Sequence, residues 1–293
     1  MRPRDDNARA LAKAEAREKR LVLLTCLPAL ALIMVLVIGP ALWLFWLSFQ
    51  DAGGNFSTEN YVRMVESSIY LKAFSNTVYV SISVTALCAL IGYPLAYMIV
   101  NARPAVQGIA LVCVLLPFWT SILVRTYAWM VILQRNGIAN EALVALGAVE
   151  KPVQLMYNFT GTVIGMVHVM LPFLVFPLLA SMRSVEPELL KAARNLGASP
   201  MRVFRDIFLP LTLPGLLAGL IIVFVLCFGY YVTPQLLGGG RVLMWAMQIE
   251  KNVTNFGNWG AASALGVVLV AVTFTMLWLV DRLFGLEKAM GGR

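Results

Sequence analysis

The stretch TGTVIGMVHVMLPFLVFPLLASM, residues 160–182, contains no Asp, Glu, Lys or Arg. A helix of roughly 20 mostly apolar residues crosses the hydrocarbon core of a bilayer. A backbone surrounded by lipid has to satisfy its own hydrogen bonds, so such a stretch is helical. Similar apolar runs lie near 21–48, 76–100, 109–133, 214–236 and 261–284. The sequence therefore predicts six transmembrane helices.

The composition supports an all-α membrane protein. Of the 293 residues, 60% are hydrophobic and 13% are charged, whereas a soluble domain is about 45–50% apolar and about 25% charged. The first run is longer than the roughly 7–15 apolar residues of a cleavable signal, and a long prefix of mixed charge precedes it. We therefore interpret this run as a retained anchor.

The basic residues predict the orientation. Residues 1–20 carry seven Lys or Arg and residues 183–213 carry five, and basic loops stay in the cytoplasm. We expect a cytoplasmic tail over 1–20, a membrane domain over 21–285 with a cytoplasmic loop at 183–213 between the fourth and fifth spans, and a cytoplasmic tail over 286–293. The net charge of +8 then reflects topology rather than nucleic-acid binding. The N-terminal tail either touches anionic lipid or is solvated.

Several kinds of chemistry are disfavoured. No carboxylate lies in the middle of a predicted span, and His168 is the lone His of the chain, whereas ion-coupled carriers commonly use intramembrane Asp, Glu or His relays. The patterns of a phosphate-binding loop and of common hydrolases are missing as well. We predict no catalytic residue, no metal ligand and no cofactor. A passive channel stays open as an alternative.

A polar segment interrupts the apolar pattern: KAARNLGASPMRVFRDIFLP, residues 191–210. Pro187 suits the start of a helix, Gly197 suits the left-handed residue that ends it, and Ser199-Pro200 suits the start of a second short helix. One face of the first helix is apolar, through Leu189, Ala192, Ala193 and Leu196. Such a hairpin either docks into another protein or lies on lipid head groups.

This segment resembles the cytoplasmic signature loop of binding-protein-dependent ABC importer permeases. The family pattern is E-A-A, three residues, Gly, nine residues, then I-x-L-P. The chain matches its spacing throughout and carries Lys in place of the usual Glu. The resemblance assigns the ATPase-coupling role to Lys191, Ala192, Ala193, Gly197, Ile207, Leu209 and Pro210.

The resemblance also implies the fold, the mechanism and the partners. We expect the six-helix type I ABC importer permease fold in a bacterial inner membrane. The coupling loop would sit in a cleft of a separate ATPase, two copies of which would drive alternating access. The chain would pair with a second permease subunit as a heterodimer and receive its solute from a periplasmic binding protein. Lipid surrounds it, and nucleic acid is not a partner.

Softer signals concern the solute. Residues 116–133, 228–240 and 258–264 look like segments of spermidine/putrescine-type permeases. Aromatic faces there, including Trp129, could bind ammonium groups, whereas Arg125 would repel a polycation. The alternative is another small solute, such as an opine, an amino-acid derivative or an organophosphonate. The candidate pathway residues are Trp119, Arg125, Tyr127, Tyr230 and Tyr231.

Each of these residues also has a purely structural interpretation. Arg125 can extend to the membrane surface or pair across helices, His168 can form an interhelical hydrogen bond, and the two Tyr can pack at the interface. The patterns Gly161-x-x-x-Gly165 and Gly215-x-x-x-Gly219 predict close helix contacts, either within the subunit or with a partner.

Overall fold

A computed structural model describes residues 18, 20, 21, 24–51 and 53–284. The predicted tails, 1–20 and 286–293, lie almost entirely outside these residues. The described part is helical, with one isolated β-bridge between Gln50 and Phe56. Its helices are α1 (Leu24–Leu47), α2 (Glu59–Glu66), α3 (Ser68–Asn101), α4 (Pro104–Trp119), α5 (Ile122–Leu133), α6 (Ile138–Ala145), α7 (Phe159–Arg183), α8 (Pro187–Asn195), α9 (Pro200–Phe228), α10 (Val232–Leu237), α11 (Trp245–Thr254) and α12 (Trp259–Phe284).

Five of the described helices are long and apolar enough to cross a membrane: α1, α3, α7, α9 and α12. A sixth span arises when the bent pair Pro104–Trp119 and Ile122–Ala145 is counted as one. This agrees with the prediction of six spans, although the third is not straight. The chain turns by 107° between the two parts of that pair.

Two other predicted spans have different bounds. The second begins at Ser68, so that α3 is 34 residues long. The fifth was expected over 214–236, but α9 runs from Pro200 to Phe228. The second short helix expected after Gly197 is thus the first part of a membrane-spanning helix. The reason is that the backbone hydrogen bonds continue past Pro210 through a π-helical turn at Phe204–Phe208.

The core forms where α3, α7 and α9 meet. Met166, Met170, Leu174 and Leu178 of α7 are almost completely buried there. Close contact depends on small residues: a Cβ atom added at Gly219 would lie 3.0 Å from the Leu174 carbonyl oxygen, and one added at Gly215 would lie 2.7 Å from that of Pro177. The Gly215-x-x-x-Gly219 pattern therefore packs within the subunit, against α7.

Hydrogen bonds fasten α11 to the neighbouring spans. The Trp245 backbone N–H donates to the Thr77 hydroxyl at 2.8 Å, and the Trp245 indole N–H donates to the Leu265 carbonyl at 2.9 Å. Both donors are buried, where an unmade hydrogen bond is costly. These bonds hold α3, α11 and α12 together at the end of the bundle where α3 begins.

The helix α1 differs from the other spans. In its most apolar 18-residue window no residue is buried within the chain, whereas 61% of the corresponding window of α7 is buried. The helix contains a π-helical turn at Met34–Ile38, directly before Gly39 and Pro40. It therefore contributes little to the core.

Candidate functional site

The segment 191–210 has the local structure that its sequence predicts around Gly197. Pro187 is the first residue of α8, and Asn195 is the last. Gly197 has a φ of +84°, the left-handed conformation that Gly adopts without steric cost. Ser199 then precedes α9 and Pro200 opens it. The N-cap of α8 is Glu186, and its side chain forms no capping hydrogen bond.

The apolar face of this segment has no cover within the described chain. Leu196 is 89% exposed and Met201 is 73% exposed. By contrast, Val185 and Leu190 pack against the main core, and Val203 is buried. The segment is thus attached to the bundle on one side and presents two large apolar side chains on the other.

The seven signature residues divide into two groups. Those that are exposed are Lys191, Ala192, Gly197 and Pro210, whereas those that are partly buried are Ala193, Ile207 and Leu209. Arg205 and Asp206 form an exposed ion pair of 2.9 Å, and no other ion pair occurs in the described part of the chain. Lys191 and Arg194 are exposed and have no carboxylate partner among the described residues. This surface is both apolar and basic.

The second candidate region is the break between α4 and α5. Residues 120 and 121 leave the helical path, which frees carbonyl groups at the end of α4. One Arg125 terminal nitrogen donates to the Pro117 carbonyl and, at 3.0 Å, to the Thr120 carbonyl. Arg125 of α5 thus forms hydrogen bonds with carbonyl groups at the end of α4. This is close to the structural interpretation in which Arg125 pairs across helices.

Arg125 and Tyr230 line one cavity of about 160 Å³, together with aromatic and aliphatic side chains of α4, α7 and α9. The Arg125 Nε atom is buried and has no hydrogen-bond partner among the described residues. The buried Tyr230 hydroxyl forms no hydrogen bond of normal geometry there either, although Thr233 lies close to it. Both residues thus contribute to the cavity wall, and each has a buried polar atom without a regular hydrogen bond among the described residues.

The other predicted pathway residues lie elsewhere. Trp119 is 78% exposed and Tyr127 is 55% exposed, so neither lines the cavity. Tyr231 follows the end of α9 and lies next to Glu250 of α11; burial and then this carboxylate raise the pKa of the Tyr231 phenol. The sequence did not single out Glu250, because the contact joins two segments that are 19 residues apart.

His168 forms a hydrogen bond inside the bundle. The Trp129 indole N–H donates to His168 Nδ1 at 3.1 Å, which is the interhelical bond expected for His168. Among the described residues no group of three His, Cys, Asp or Glu side chains could hold a metal ion.

Comparison with known proteins identifies the architecture. Residues 88–284 match the family described as binding-protein-dependent transport system inner membrane component. The chain is 32% identical over 231 residues to the spermidine/putrescine transport system permease protein PotB of Escherichia coli, which covers 78% of this chain and 84% of that protein. It is 33% identical over 235 residues to PotB of Haemophilus influenzae, covering 78% of this chain and 82% of that protein.

A solved structure shows the same fold. One chain of a bacterial ABC transporter involved in the import of the acidic polysaccharide alginate aligns with a TM-score of 0.74 at 18% identity, covering 93% of this chain and 97% of that chain. The fold, the signature loop and the family match agree with one another. The chain belongs to the binding-protein-dependent transport system inner membrane component family and is a multi-pass permease of an ABC importer, not an enzyme.

Proposed function

We propose that this permease imports a polyamine-like solute and is driven by a separate ATPase that binds the segment 187–201. The observation that carries the proposal is the exposure of Leu196 and Met201 on an otherwise anchored segment. Large apolar side chains that face water beside a basic surface are typical of a protein interface. Four of the seven signature residues lie in this segment, and Ile207, Leu209 and Pro210 lie six to nine residues after it.

The complete importer would contain further subunits. The chain would pair with a second, different permease subunit, two ATPase subunits would bind at the cytoplasmic side, and a periplasmic binding protein would deliver the solute. ATP binding would close the ATPase dimer and move the two permeases from the inward-facing to the outward-facing state. The bases at 1–20 and 183–213 support cytoplasmic termini on a bacterial inner membrane. Lipid contacts the remaining apolar faces.

Two observations support the polyamine assignment: the similarity to spermidine/putrescine permeases and the position of Glu250. This carboxylate is partly buried beside Tyr231, and together they offer an ion pair and an aromatic face to an ammonium group. We expect Glu250→Gln to raise the KM for a polyamine, because it removes the charge and keeps the shape. The matched control is Glu150→Gln, at an exposed position of a loop. Equal KM values for both variants would remove this support.

Purification from the native membrane tests the coupling role. We expect an ATPase and a second permease to co-purify with the chain solubilised in mild detergent. Ala193→Glu places a charge on the apolar face of α8 and should abolish both ATPase recovery and ATP-driven uptake. The matched control is Ala105→Glu, an exposed position in the first turn of α4. Recovery of the chain alone, with uptake that does not need ATP, would favour a channel.

A second candidate solute class is favoured by Arg125. Arg125 lines a cavity, and its buried Nε atom has no hydrogen-bond partner among the described residues. A guanidinium binds carboxylates and phosphonates, whereas it repels a polycation. The solute would then be an opine, an amino-acid derivative or an organophosphonate. Screening the co-purified binding protein by thermal shift decides between the classes. Stabilisation by spermidine or putrescine supports the first proposal, and stabilisation by anionic compounds alone contradicts it.

A further inference from the structure

The π-helical turn of α9 lies inside the segment 191–210, which carries the signature residues. Its bounds are Phe204–Phe208, and the Leu209 N–H donates to the Phe204 carbonyl, five residues back. Pro210 follows directly. A proline has no N–H to donate and its ring crowds the carbonyl four residues back, so the wider turn lets α9 continue past it. Single π-helical turns of this kind are frequent at functional sites.

The two rings of this turn pack against α3. Phe204 and Phe208 stack at 5.9 Å. Tyr97 contacts both of them edge-on, at 5.5 Å and 5.3 Å between ring centroids, and Tyr93 contacts Phe204 edge-on at 6.1 Å. We call Tyr93, Tyr97, Phe204 and Phe208 the aromatic joint. It connects the end of α3 to the start of α9.

A hydrogen-bond chain strengthens the same connection. The Tyr93 and Thr212 hydroxyls lie 2.9 Å apart, and the Thr212 hydroxyl donates to the Leu209 carbonyl at 3.0 Å. Tyr93 is therefore the donor to Thr212, which is fully buried. The chain of bonds ends on the carbonyl directly before Pro210. The π turn is thus tied to α3 by both rings and hydrogen bonds.

The coupling segment, residues 187–201, contacts the bundle through Leu190, which packs against the main core, and through the start of α9. Leu196, Gly197 and Met201 are exposed, and α9 continues without a break from Pro200 through the membrane. Because α9 is continuous there, we expect a displacement of the segment to move the start of α9. Phe204 and Phe208 are the first aromatic side chains of α9, within two turns of its start.

We propose that the aromatic joint is the positioning element through which movement of the coupling segment reaches α3 as well as α9. This inference rests on the proposed coupling role. It assigns to Tyr93, Tyr97, Phe204 and Phe208 the task of converting ATPase closure into movement of two spans. Loss of the joint uncouples ATP hydrolysis from transport rather than preventing ATPase binding.

The chain contains a matched control for the joint. Phe74, near the beginning of α3, contacts Phe228 at the end of α9 edge-on at 5.9 Å and Trp245 at 5.5 Å. It joins the same two helices through the same kind of contact, about 35 Å from Tyr97 along α3. Phe74→Leu and Phe204→Leu therefore remove comparable ring contacts at opposite ends of one helix pair.

The experiment measures solute transported per ATP hydrolysed by the reconstituted complex in proteoliposomes. We expect a roughly tenfold lower ratio for Phe204→Leu, because it removes both edge-on contacts of Phe204 with α3. Tyr93→Phe removes the hydroxyl alone and should lower the ratio roughly fivefold. Phe204→Tyr keeps an aromatic ring and should give the same ratio as the unmodified chain. Phe74→Leu should leave the ratio unchanged.

Two results would overturn the inference. One is a parallel loss of hydrolysis and uptake in Phe204→Leu with an unchanged ratio. The other is an equal loss of the ratio in Phe74→Leu. Neither would affect the coupling role of the segment itself, which depends on Ala193→Glu abolishing ATPase recovery. If Ala193→Glu retains the ATPase and transports normally, the proposed coupling role is contradicted, and the inference about the aromatic joint no longer has a basis.

Discussion

Two helix ends in this chain have the same sequence and the same geometry. Leu146-Gly147-Ala148 follows α6 and Leu196-Gly197-Ala198 follows α8. The two Gly have φ values of +70° and +84°, and the preceding Leu are 82% and 89% exposed.

The hydrogen bonds of the two turns also correspond. Gly147 N–H donates to the carbonyl three residues back at 3.0 Å, and Gly197 N–H does so at 2.9 Å. The next N–H in each turn reaches five residues back, at 3.0 Å and 3.1 Å. A Cβ atom added to either Gly would meet nothing within 4 Å. Judged by its local structure, neither turn is special.

The difference lies in what each turn connects. After Gly147 the chain continues through irregular residues to α7, whereas three residues after Gly197 it enters α9, which crosses the membrane as one helix. The Gly197 turn is also flanked by four exposed bases, Lys191, Arg194, Arg202 and Arg205. A turn of ordinary geometry thus acquires a role from the helix to which it is attached. The two turns serve as controls for each other.

The largest effect is expected from proline at the two Gly positions. Proline holds φ near −65°, so it is incompatible with both turns. We expect Gly197→Pro to abolish ATP-driven uptake into membrane vesicles and Gly147→Pro to retain most of it, at equal membrane levels of both proteins. Equal losses in the two variants would mean that the turns matter only for folding.

A charge at the exposed Leu should separate the two turns next. In an interface the carboxylate of Leu196→Asp would be buried without a partner, at a cost of several kcal/mol. Co-purification of the ATPase should therefore weaken by roughly a hundredfold, since 1.4 kcal/mol is tenfold. Leu146→Asp should bind the ATPase as the unmodified chain does. Tight ATPase binding by Leu196→Asp would place the docking surface elsewhere.

The smallest effect is expected from Gly→Ala at either turn. An L-residue in the left-handed region costs about 1–2 kcal/mol, and the local geometry is the same in both turns. Gly147→Ala and Gly197→Ala should therefore lower the thermal stability of the purified chain by equal amounts, with Gly→Asn less harmful at both. Unequal shifts would show that the surroundings already strain one turn.

Sequence reasoning succeeded where a residue type has one dominant conformation. Gly197 and Pro200 occupy the left-handed and first helical positions that their chemistry favours. It could not foresee that α9 continues past Pro210, because a π turn and a helix end both accommodate proline. The 107° bend before Ile122 was missed because the Pro, Thr and Ser residues next to it also occur within α7, which remains one helix.

The orientation of the pathway residues was also unpredictable. In a soluble helix the apolar stripe tells which face is buried, but a span in lipid is apolar on all sides. Nothing in the sequence therefore separates Arg125, which lines a cavity, from the exposed Tyr127 two residues later. The aromatic joint was missed for another reason. Its four rings come from two segments that lie more than 100 residues apart in the sequence.

The exposure of α1 has a consequence for biosynthesis. Its backbone hydrogen bonds are internal and its apolar window buries nothing in the bundle, so its insertion into the bilayer depends on no later segment. The three helices that share the core are different. All of α3 is synthesised before α7, and α9 is synthesised after both, so Gly92 and Gly219, which both face Leu174, meet it at different times. Among these four spans, α1 is therefore synthesised first and can insert alone, whereas the core can close only after α9 has been synthesised.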